Sequence, residues 1–346
     1  MDDFPMLAAC RRQPTRVTPV WFMRQAGRYM PEYRALRERY SILEMIQTPE
    51  LAASVTLMPK RLGVDALILF ADILLPLIPM GLGLEFVAGK GPVLHRPIRS
   101  AADVERLRPV QPAEDLGYVM ETIRLVRESV QDVPLIGFAG APFTLASYAI
   151  EGGGSRHYLN TKRLMYEAPD TWHLLMEKFT DVTLAYLQAQ IQAGVQAVQL
   201  FDSWVGALSP RDYRTFVQPY VRRIFDGLSS FGVPRIYFGT GTAGMLALIA
   251  DVGADVVGVD WRVELATAWE QLGNVAIQGN LDPALLFAPR DVLAQQVKHV
   301  LAQANGRPGH IFNLGHGILP QTPVDNVKFV VDLVHEETAR KGERAQ

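Results

Sequence analysis

Eight short apolar segments, each followed by a helical pattern, constrain the fold of this chain more than any other feature of its sequence. They occupy residues 18–23, 65–70, 134–138, 197–201, 234–239, 255–260, 275–279 and 310–314. Short apolar runs that alternate with helical segments are typical of βα units with buried parallel strands. Eight such units within 346 residues predict an α/β fold whose strands close into a (β/α)8 TIM barrel.

Helix starts in this pattern are marked by a hydroxyl side chain followed directly by proline. An N-cap hydroxyl accepts a hydrogen bond from a free backbone N–H, and proline fits the first turn because that turn does not need its missing N–H. We therefore predict helices that begin at Thr48-Pro49, Ser209-Pro210 and Thr322-Pro323.

Residues 82–86 and 92–98, joined by the glycine-containing segment 88–91, predict a β-hairpin inserted between strands two and three. The main alternative to the barrel is a doubly wound parallel sheet, which is built from the same βα units. No G-x-G-x-x-G motif follows the first apolar segment, and no repeat or linker divides the chain. We therefore expect a single barrel domain over residues 1–346.

Charge and hydropathy argue against two classes of partner. The 34 Lys and Arg residues nearly balance 36 Asp and Glu residues, which gives a net charge of −2. The chain therefore lacks the excess positive charge that binds nucleic acid or an anionic membrane. Residues 65–84 form the most apolar window, but Asp72 and two prolines interrupt it, which argues against a membrane span. A small anionic substrate would need a local basic cluster.

Cysteine and histidine are too sparse for a typical structural metal site. The single Cys10 allows no internal disulfide, the seven histidines include no H-x-x-x-H pair, and none lies near Cys10. Structural zinc sites use several Cys and His ligands at short spacing. We expect neither a metal nor an organic cofactor, with a dispersed histidine or carboxylate site as the alternative. The N-terminal residues do not resemble a secretory signal, so we expect a cytoplasmic location.

Polar residues follow most of the predicted strands, at the point where each strand ends. In (β/α)8 enzymes the chemistry lies at the carboxyl ends of the strands, because those ends meet at one rim. The residues that the pattern places there are Arg24, Asp72, Gly140, Asp202, Ser203, Gly239, Thr240, Asp260, Asn280 and His316. We therefore predict the functional site at this rim.

Arginines are concentrated just after the first predicted strand. Arg24 and Arg28 lie in the strand-end loop, and Arg34 and Arg37 follow on a helix that begins at Pro31. Guanidinium groups form paired, charge-assisted hydrogen bonds with carboxylates, so the cluster suits a ligand with several carboxylates. The other interpretation is surface ion pairing, which we expect for Arg34, with the acidic residues Glu32, Glu38 and Glu44.

Asp72 ends the apolar run 67–72, so its carboxyl group must be hydrogen-bonded, paired or protonated. A structural role as a helix N-cap or in a rim ion pair would also explain Asp72, Asp202 and Asp260. The same two interpretations, a functional and a structural rim residue, apply to His316.

Two glycine-rich segments, 137–144 and 151–156, contain no P-loop motif. They predict close-packed loops over the barrel mouth rather than a nucleotide site. Tyr148 lies between them and is placed to direct its hydroxyl into that mouth.

Five distinctive blocks of sequence lie in order along almost the whole chain: PVWFMRQAGRYMPEYR (19–34), FADIL (70–74), GFAGAPFTLASY with EGGGS (137–155), FDSW (201–204) and NLGHG (313–317). Together they resemble the uroporphyrinogen decarboxylases of haem biosynthesis. Members of that family are single (β/α)8 barrels that act as homodimers without metal or cofactor. The strand count predicts the barrel independently, whereas the homodimer is implied by the resemblance alone.

The resemblance also implies site residues, position by position. For catalysis they are Asp72, Arg24, Arg28, Tyr148 and His316, and substrate binding would add Arg37 and Ser203. Ala71 stands where the family commonly has serine, and Asp202 where it commonly has glutamate. Neither departure alters a residue of the implied catalytic set.

The reaction implied is the loss of CO2 from the four acetate side chains of uroporphyrinogen III, which leaves coproporphyrinogen III. Such a decarboxylation needs an electron sink, and protonation of the pyrrole ring supplies one as a cation. We expect Asp72 to accept hydrogen bonds from the pyrrole N–H groups and to stabilise that cation. The proton donor stays open among an arginine, His316 and Tyr148, although guanidinium is a poor acid at neutral pH.

Two other functions fit parts of the sequence. A related barrel methyltransferase, which passes methyl groups between corrinoid proteins and thiols, would hold zinc through His and Cys, but no cysteine follows Cys10. A non-catalytic tetrapyrrole carrier would need the arginines but not Asp72. The order of acetate loss, the isomer preference, the dimer affinity and any handover partner are not determined by the sequence.

Overall fold

The computed structural model describes residues 4–339, and its strands are short. Within those residues they are β1 (Leu67–Ile68), β2 (Leu84–Val87), β3 (Gly91–Leu94), β4 (Leu135–Gly140), β5 (Ala197–Asp202), β6 (Arg235–Gly239), β7 (Val256–Gly258), β8 (Ala276–Gln278) and β9 (His310–Ile311). Seven of these form one parallel sheet in the order β1-β4-β5-β6-β7-β8-β9. The sheet is buried, and all six residues of β4 are buried, as is typical of parallel strands covered on both faces.

Helices join successive strands of the parallel sheet and pack against it. In the described residues they are α1 (Pro5–Cys10), α2 (Pro31–Arg37), α3 (Ile42–Gln47), α4 (Pro49–Leu57), α5 (Ala101–Glu105), α6 (Pro112–Asp115), α7 (Gly117–Ser129), α8 (Pro142–Glu151), α9 (Leu159–Glu167), α10 (Pro169–Ala193), α11 (Pro210–Phe216), α12 (Gln218–Leu228), α13 (Leu246–Ala250), α14 (Leu265–Leu272), α15 (Arg290–Ala304) and α16 (Val324–Thr338). No helix within residues 4–339 is both long enough and apolar enough to cross a membrane.

The predicted first strand, residues 18–23, is extended chain and not a strand, which corrects the count from eight to seven. It nevertheless contacts both edges of the sheet. Val20 forms a parallel bridge with Phe312, just beyond β9, and its carbonyl accepts a hydrogen bond from Asp65 N (2.8 Å), just before β1. A regular ladder fails because Pro19 has no N–H and the Val20 N–H donates to the Asp65 carboxylate (2.8 Å).

The predicted hairpin is present as the antiparallel pair β2–β3, which lies between β1 and β4 along the chain. Its second strand is tied to the glycine-rich segment after α8, because Val93 forms a bridge with Gly153. The Leu94 N–H also donates to the Gly152 carbonyl (3.0 Å). The hairpin is therefore held against the helix that carries Tyr148.

The three predicted helix starts differ in outcome. At α11 the Ser209 hydroxyl accepts a hydrogen bond from Asp212 N (3.1 Å), so that cap is confirmed. α4 begins at Pro49 as predicted, but the Thr48 hydroxyl donates to a carbonyl of the preceding helix and does not cap α4. The prediction at Thr322 was wrong, because α16 begins at Val324 and its N-cap is Pro323, which has no side-chain acceptor.

Candidate active site

A cavity of about 470 Å³ opens at the carboxyl ends of the parallel strands. The loop after residues 18–23, the loop after β1, helix α8, the end of β5 and the turn after β9 each contribute a polar side chain. Six of the seven predicted site residues line this cavity: Arg24, Arg28, Asp72, Tyr148, Ser203 and His316. The rim that the strand pattern predicted is therefore where the structure brings these side chains together.

The apolar part of the cavity wall was not foreseen from the sequence. It is built by phenylalanines at or just after the carboxyl ends of four parallel strands, namely Phe70, Phe138, Phe201 and Phe238. Three of these rings pack edge to face, with centroids 5.5 and 5.9 Å apart. A phenylalanine occurs in four of the apolar segments, but phenylalanine in such a segment is equally typical of a buried core position.

Asp72 faces the cavity and is half-buried. Its Oδ1 accepts a hydrogen bond from Leu74 N (2.8 Å). Burial raises the pKa of this carboxyl group to about 6, although the Leu74 N–H and the charge of Arg24 lower the pKa in part. Asp72 is thus mostly ionised at neutral pH, and its partly buried charge lowers the free energy of unfolding.

Arg24 combines an unusual backbone with a constrained side-chain path. Its φ angle of +59° lies in the left-handed region, which costs a residue other than glycine about 1–2 kcal/mol. Its side chain passes directly over Gly317, where an added Cβ would lie only 2.5 Å from Arg24 Cδ. Gly317 therefore permits the position of Arg24 over the cavity.

The remaining arginines of the cluster separate by position. Arg28 lines the cavity and is exposed. Arg37 is exposed on α2, donates to the Tyr40 carbonyl and, among the described residues, is not part of the lining. The ion pairs predicted for Arg34 were wrong, because its guanidinium instead donates to the carbonyls of Arg28 (3.0 Å) and Tyr29 (2.9 Å). It thus supports the backbone of the loop that presents Arg28.

Tyr148 and Ser203 occupy adjoining parts of the wall. Tyr148 is half-buried on α8, and its ring packs against Trp204 with centroids 5.7 Å apart. Burial and the nearby charge of Asp72 raise the pKa of the phenol to about 12, so its hydroxyl stays protonated. The Ser203 carbonyl accepts a hydrogen bond from Thr240 Oγ1 (2.7 Å), which fixes the loop beyond β5.

His316 is held as a neutral imidazole. Burial, with the nearby charges of Arg24 and Arg262, lowers its pKa to about 4. Its Nδ1 accepts a hydrogen bond from Gly317 N (2.7 Å), which leaves the ring proton on Nε2. His316 is thus a neutral hydrogen-bond donor at the cavity wall near neutral pH.

Asp202 and Asp260, the two other strand-end aspartates, are not among the described residues that line the cavity. Asp260 is almost fully buried and forms an ion pair with Arg262 (2.6 Å), and it accepts a hydrogen bond from Gly241 N (2.6 Å). Asp202 accepts hydrogen bonds from Thr144 Oγ1 and a tyrosine hydroxyl. The interpretation as a rim ion pair is confirmed for Asp260.

Residues 4–339 contain no cluster of three or more His, Cys, Asp and Glu side chains arranged to hold a metal ion. Cys10 is buried in α1, and burial raises the pKa of its thiol to about 12. It is not among the described residues that line the cavity. The thiol that a zinc-dependent methyltransferase would need is therefore absent from this cavity wall.

Among solved structures, a methyltransferase from Methanosarcina mazei matches with a TM-score of 0.78 over 96% of this chain and 98% of that one. A putative vitamin-B12-independent methionine synthase from Listeria monocytogenes matches with a TM-score of 0.59 over 95% of this chain and 98% of that one. At 22% and 11% sequence identity, both matches show a shared α/β fold and nothing further.

The sequence comparisons are more specific. The family model described as uroporphyrinogen decarboxylase (URO-D) matches residues 2–337. A protein of Sorangium cellulosum named uroporphyrinogen decarboxylase is 60% identical over 331 residues, which cover 95% of each chain. A protein of Carboxydothermus hydrogenoformans with the same name is 57% identical over 97% of each chain. The chain belongs to the uroporphyrinogen decarboxylase family.

Proposed function

We propose that this protein decarboxylates the four acetate side chains of uroporphyrinogen III to methyl groups, giving coproporphyrinogen III and four CO2. Family membership over nearly the whole chain supports the reaction. The observation that carries its placement is that one carboxylate, two arginines and three neutral hydrogen-bond donors line a single cavity: Asp72, Arg24, Arg28, Tyr148, Ser203 and His316.

The charges of the cavity suit a porphyrinogen. Arg24 and Arg28 bind carboxylates of the side chains through charge-assisted hydrogen bonds, and Arg37 engages those that extend beyond the cavity. Asp72 accepts hydrogen bonds from the pyrrole N–H groups, and the four phenylalanines contact the faces of the macrocycle. Because the carboxylate of Asp72 is held in place before substrate binds, it stabilises positive charge with little reorganisation.

Each decarboxylation exchanges CO2 for one proton. A proton adds to the pyrrole carbon next to the one that carries the acetate, and the ring becomes a cation. The bond between the acetate methylene and its carboxylate then breaks, its electron pair neutralises the cation, and CO2 leaves. A second proton converts the resulting exocyclic methylene to methyl, and loss of the first proton restores the pyrrole. Asp72 stabilises the cation that precedes CO2 loss.

Tyr148 and His316 are both neutral groups in the cavity wall. The pKa of the Tyr148 phenol, about 12, and that of His316, about 4, leave both groups neutral at pH 7. Each is therefore a weak acid there, and each is suited first to hydrogen-bonding substrate carboxylates with Ser203.

We also propose that the chain is one (β/α)8 barrel domain over residues 1–346, with the β2–β3 hairpin as an insertion, and that it acts as a homodimer. The backbone contacts of Val20 with the segments beside β1 and β9 support closure. Light scattering of the purified protein tests the dimer. The cytoplasmic location expected from the sequence stays a prediction.

The reaction is tested by anaerobic incubation of the purified protein with uroporphyrinogen III in the presence of EDTA. The products are oxidised and separated by HPLC according to their number of carboxylates. A descent from eight carboxylates to four supports the proposal. Tight binding of substrate without product would instead support a carrier, and zinc in the purified protein together with thiol methylation would support a methyltransferase.

A further inference from the structure

Asp202 is a fully buried carboxyl group one residue away from the cavity-lining Ser203, and the reaction described above does not use it. It is 0% exposed at the end of β5. Its partners are hydroxyl groups: Thr144 Oγ1 donates to Oδ1 (2.8 Å) and the Tyr237 hydroxyl donates to Oδ2 (2.7 Å). Burial raises its pKa to about 6. Burial of a carboxyl group is unfavourable unless hydrogen bonds compensate for the lost hydration, so we asked which function its two hydrogen bonds serve.

Asp202, Thr144 and Tyr237 form a hydrogen-bonded cluster, and Thr144 connects this cluster to the cavity. Thr144 lies on α8 four residues before Tyr148, about one turn of the helix, so the two side chains share a face of the helix. The Thr144 hydroxyl, while donating to Asp202, also accepts a hydrogen bond from Trp204 N (3.3 Å). The Trp204 ring in turn packs against Tyr148. Both sides of Tyr148, its helix and its ring contact, are therefore anchored to one hydroxyl.

The hydrogen bond from Tyr237 connects Asp202 to the protein interior, away from the cavity. Tyr237 is fully buried in β6 and its hydroxyl lies 3.4 Å from that of Tyr213, also fully buried, on α11. Among the described residues, neither tyrosine lines the cavity. The same carboxyl group thus has one hydrogen bond directed toward the candidate site and one directed into the protein interior.

We propose that Asp202 and Thr144 are positioning residues, which act through their shared hydrogen bond to hold Tyr148 in the wall of the cavity and Trp204 against the Tyr148 ring. Asp202 fixes the direction of the Thr144 hydroxyl proton, and this leaves an oxygen lone pair free to accept the Trp204 N–H. This inference rests on the proposed function, because it assigns the cluster to the placement of Tyr148 for that reaction.

The test compares two substitutions that each remove one hydrogen bond to Asp202. Thr144→Val keeps the shape of the side chain and removes its hydroxyl, whereas Tyr237→Phe removes the bond on the interior side. We expect Thr144→Val to lower kcat on the order of 10- to 100-fold, as misplacement of a site residue does. Tyr237→Phe is the matched control: it should keep kcat within about twofold of the wild-type value, with a urea midpoint similar to that of Thr144→Val. Thr144→Ser keeps the hydroxyl and should retain most of the wild-type activity.

A double-mutant cycle separates positioning from general damage. If Thr144 acts through Tyr148, adding Thr144→Val to Tyr148→Phe should lower kcat by less than about twofold further. Independent, multiplying effects would overturn the inference, as would a Thr144→Val protein with the kcat of the Tyr237→Phe control. Failure of the proposed function is distinguishable, because the wild-type protein would then form no coproporphyrinogen.

Discussion

Replacement of Asp72 by asparagine removes the negative charge of a partly buried carboxylate. Burial raises the pKa of the Asp72 carboxyl group from 3.8 to about 6. Asparagine has nearly the same shape and keeps an oxygen that can accept the hydrogen bond from Leu74 N, now 2.8 Å long. The substitution therefore isolates the charge from the packing around it.

The sign and size of the effect follow from proton linkage. Because the folded pKa is raised, the contribution of Asp72 to stability is fully present below pH 3.8 and is lost as the pH rises through about 6. The full difference between the two pKa values corresponds to about 3 kcal/mol at pH 8, and about 1 kcal/mol of it has developed at pH 4.5. We expect Asp72→Asn to raise the free energy of unfolding by up to these amounts.

Urea unfolding of both proteins at pH 8 and pH 4.5 measures this difference, and HPLC of the products measures turnover on the same samples. Asp226→Asn, at an exposed position on α12, is the matched control and should change the unfolding free energy by less than about 0.5 kcal/mol. We expect Asp72→Asn to lose turnover on the order of 100-fold or more. A stability gain that is equal at both pH values would refute burial of charge as the cause, and wild-type turnover would refute the role of Asp72.

Four further outcomes are expected. Gly317→Ala should displace the Arg24 side chain, because the new methyl group would lie 2.5 Å from Arg24 Cδ, and kcat/KM should fall on the order of tenfold or more; an unchanged kcat/KM would contradict this. A plot of kcat/KM against pH should fall on the acid side near pH 6 as Asp72 is protonated, and Asp72→Glu should move that limb. Arg28→Ala should raise KM more than it lowers kcat, if Arg28 binds a carboxylate equally in ground and transition states. Ser209→Ala should cost about 1 kcal/mol in urea unfolding by loss of an N-cap, with activity unchanged.

The parallel sheet could be predicted because buried strands give continuous apolar runs that local sequence reveals. Seven of the eight predicted segments contain strands of the sheet. The first does not, because the Val20 N–H donates to the carboxylate of Asp65, which is distant in sequence. No local pattern distinguishes an N–H that pairs with a strand from one that pairs with a remote side chain.

The polar part of the candidate site could also be predicted, since strand ends can be located and polar groups there share one rim. Its apolar part could not, because Phe138 and Phe201 look the same in sequence whether they face the sheet interior or a cavity. The contacts of the arginine side chains could not be predicted either. Arg34 lies on α2 among acidic residues, yet its guanidinium donates to the carbonyls of Arg28 and Tyr29 instead of pairing with them.

The sequence by itself determined the parallel α/β sheet, the family and the set of residues at the strand ends. Each of these depends on residue type and on spacing along the chain. The tertiary structure alone decided which of those residues face one cavity and what their protonation states are. Asp72 and Asp202 are both aspartates after apolar runs, and burial raises the pKa of each to about 6. One lines the cavity and the other lies beneath its wall, because a side chain's surroundings come from segments far apart in sequence.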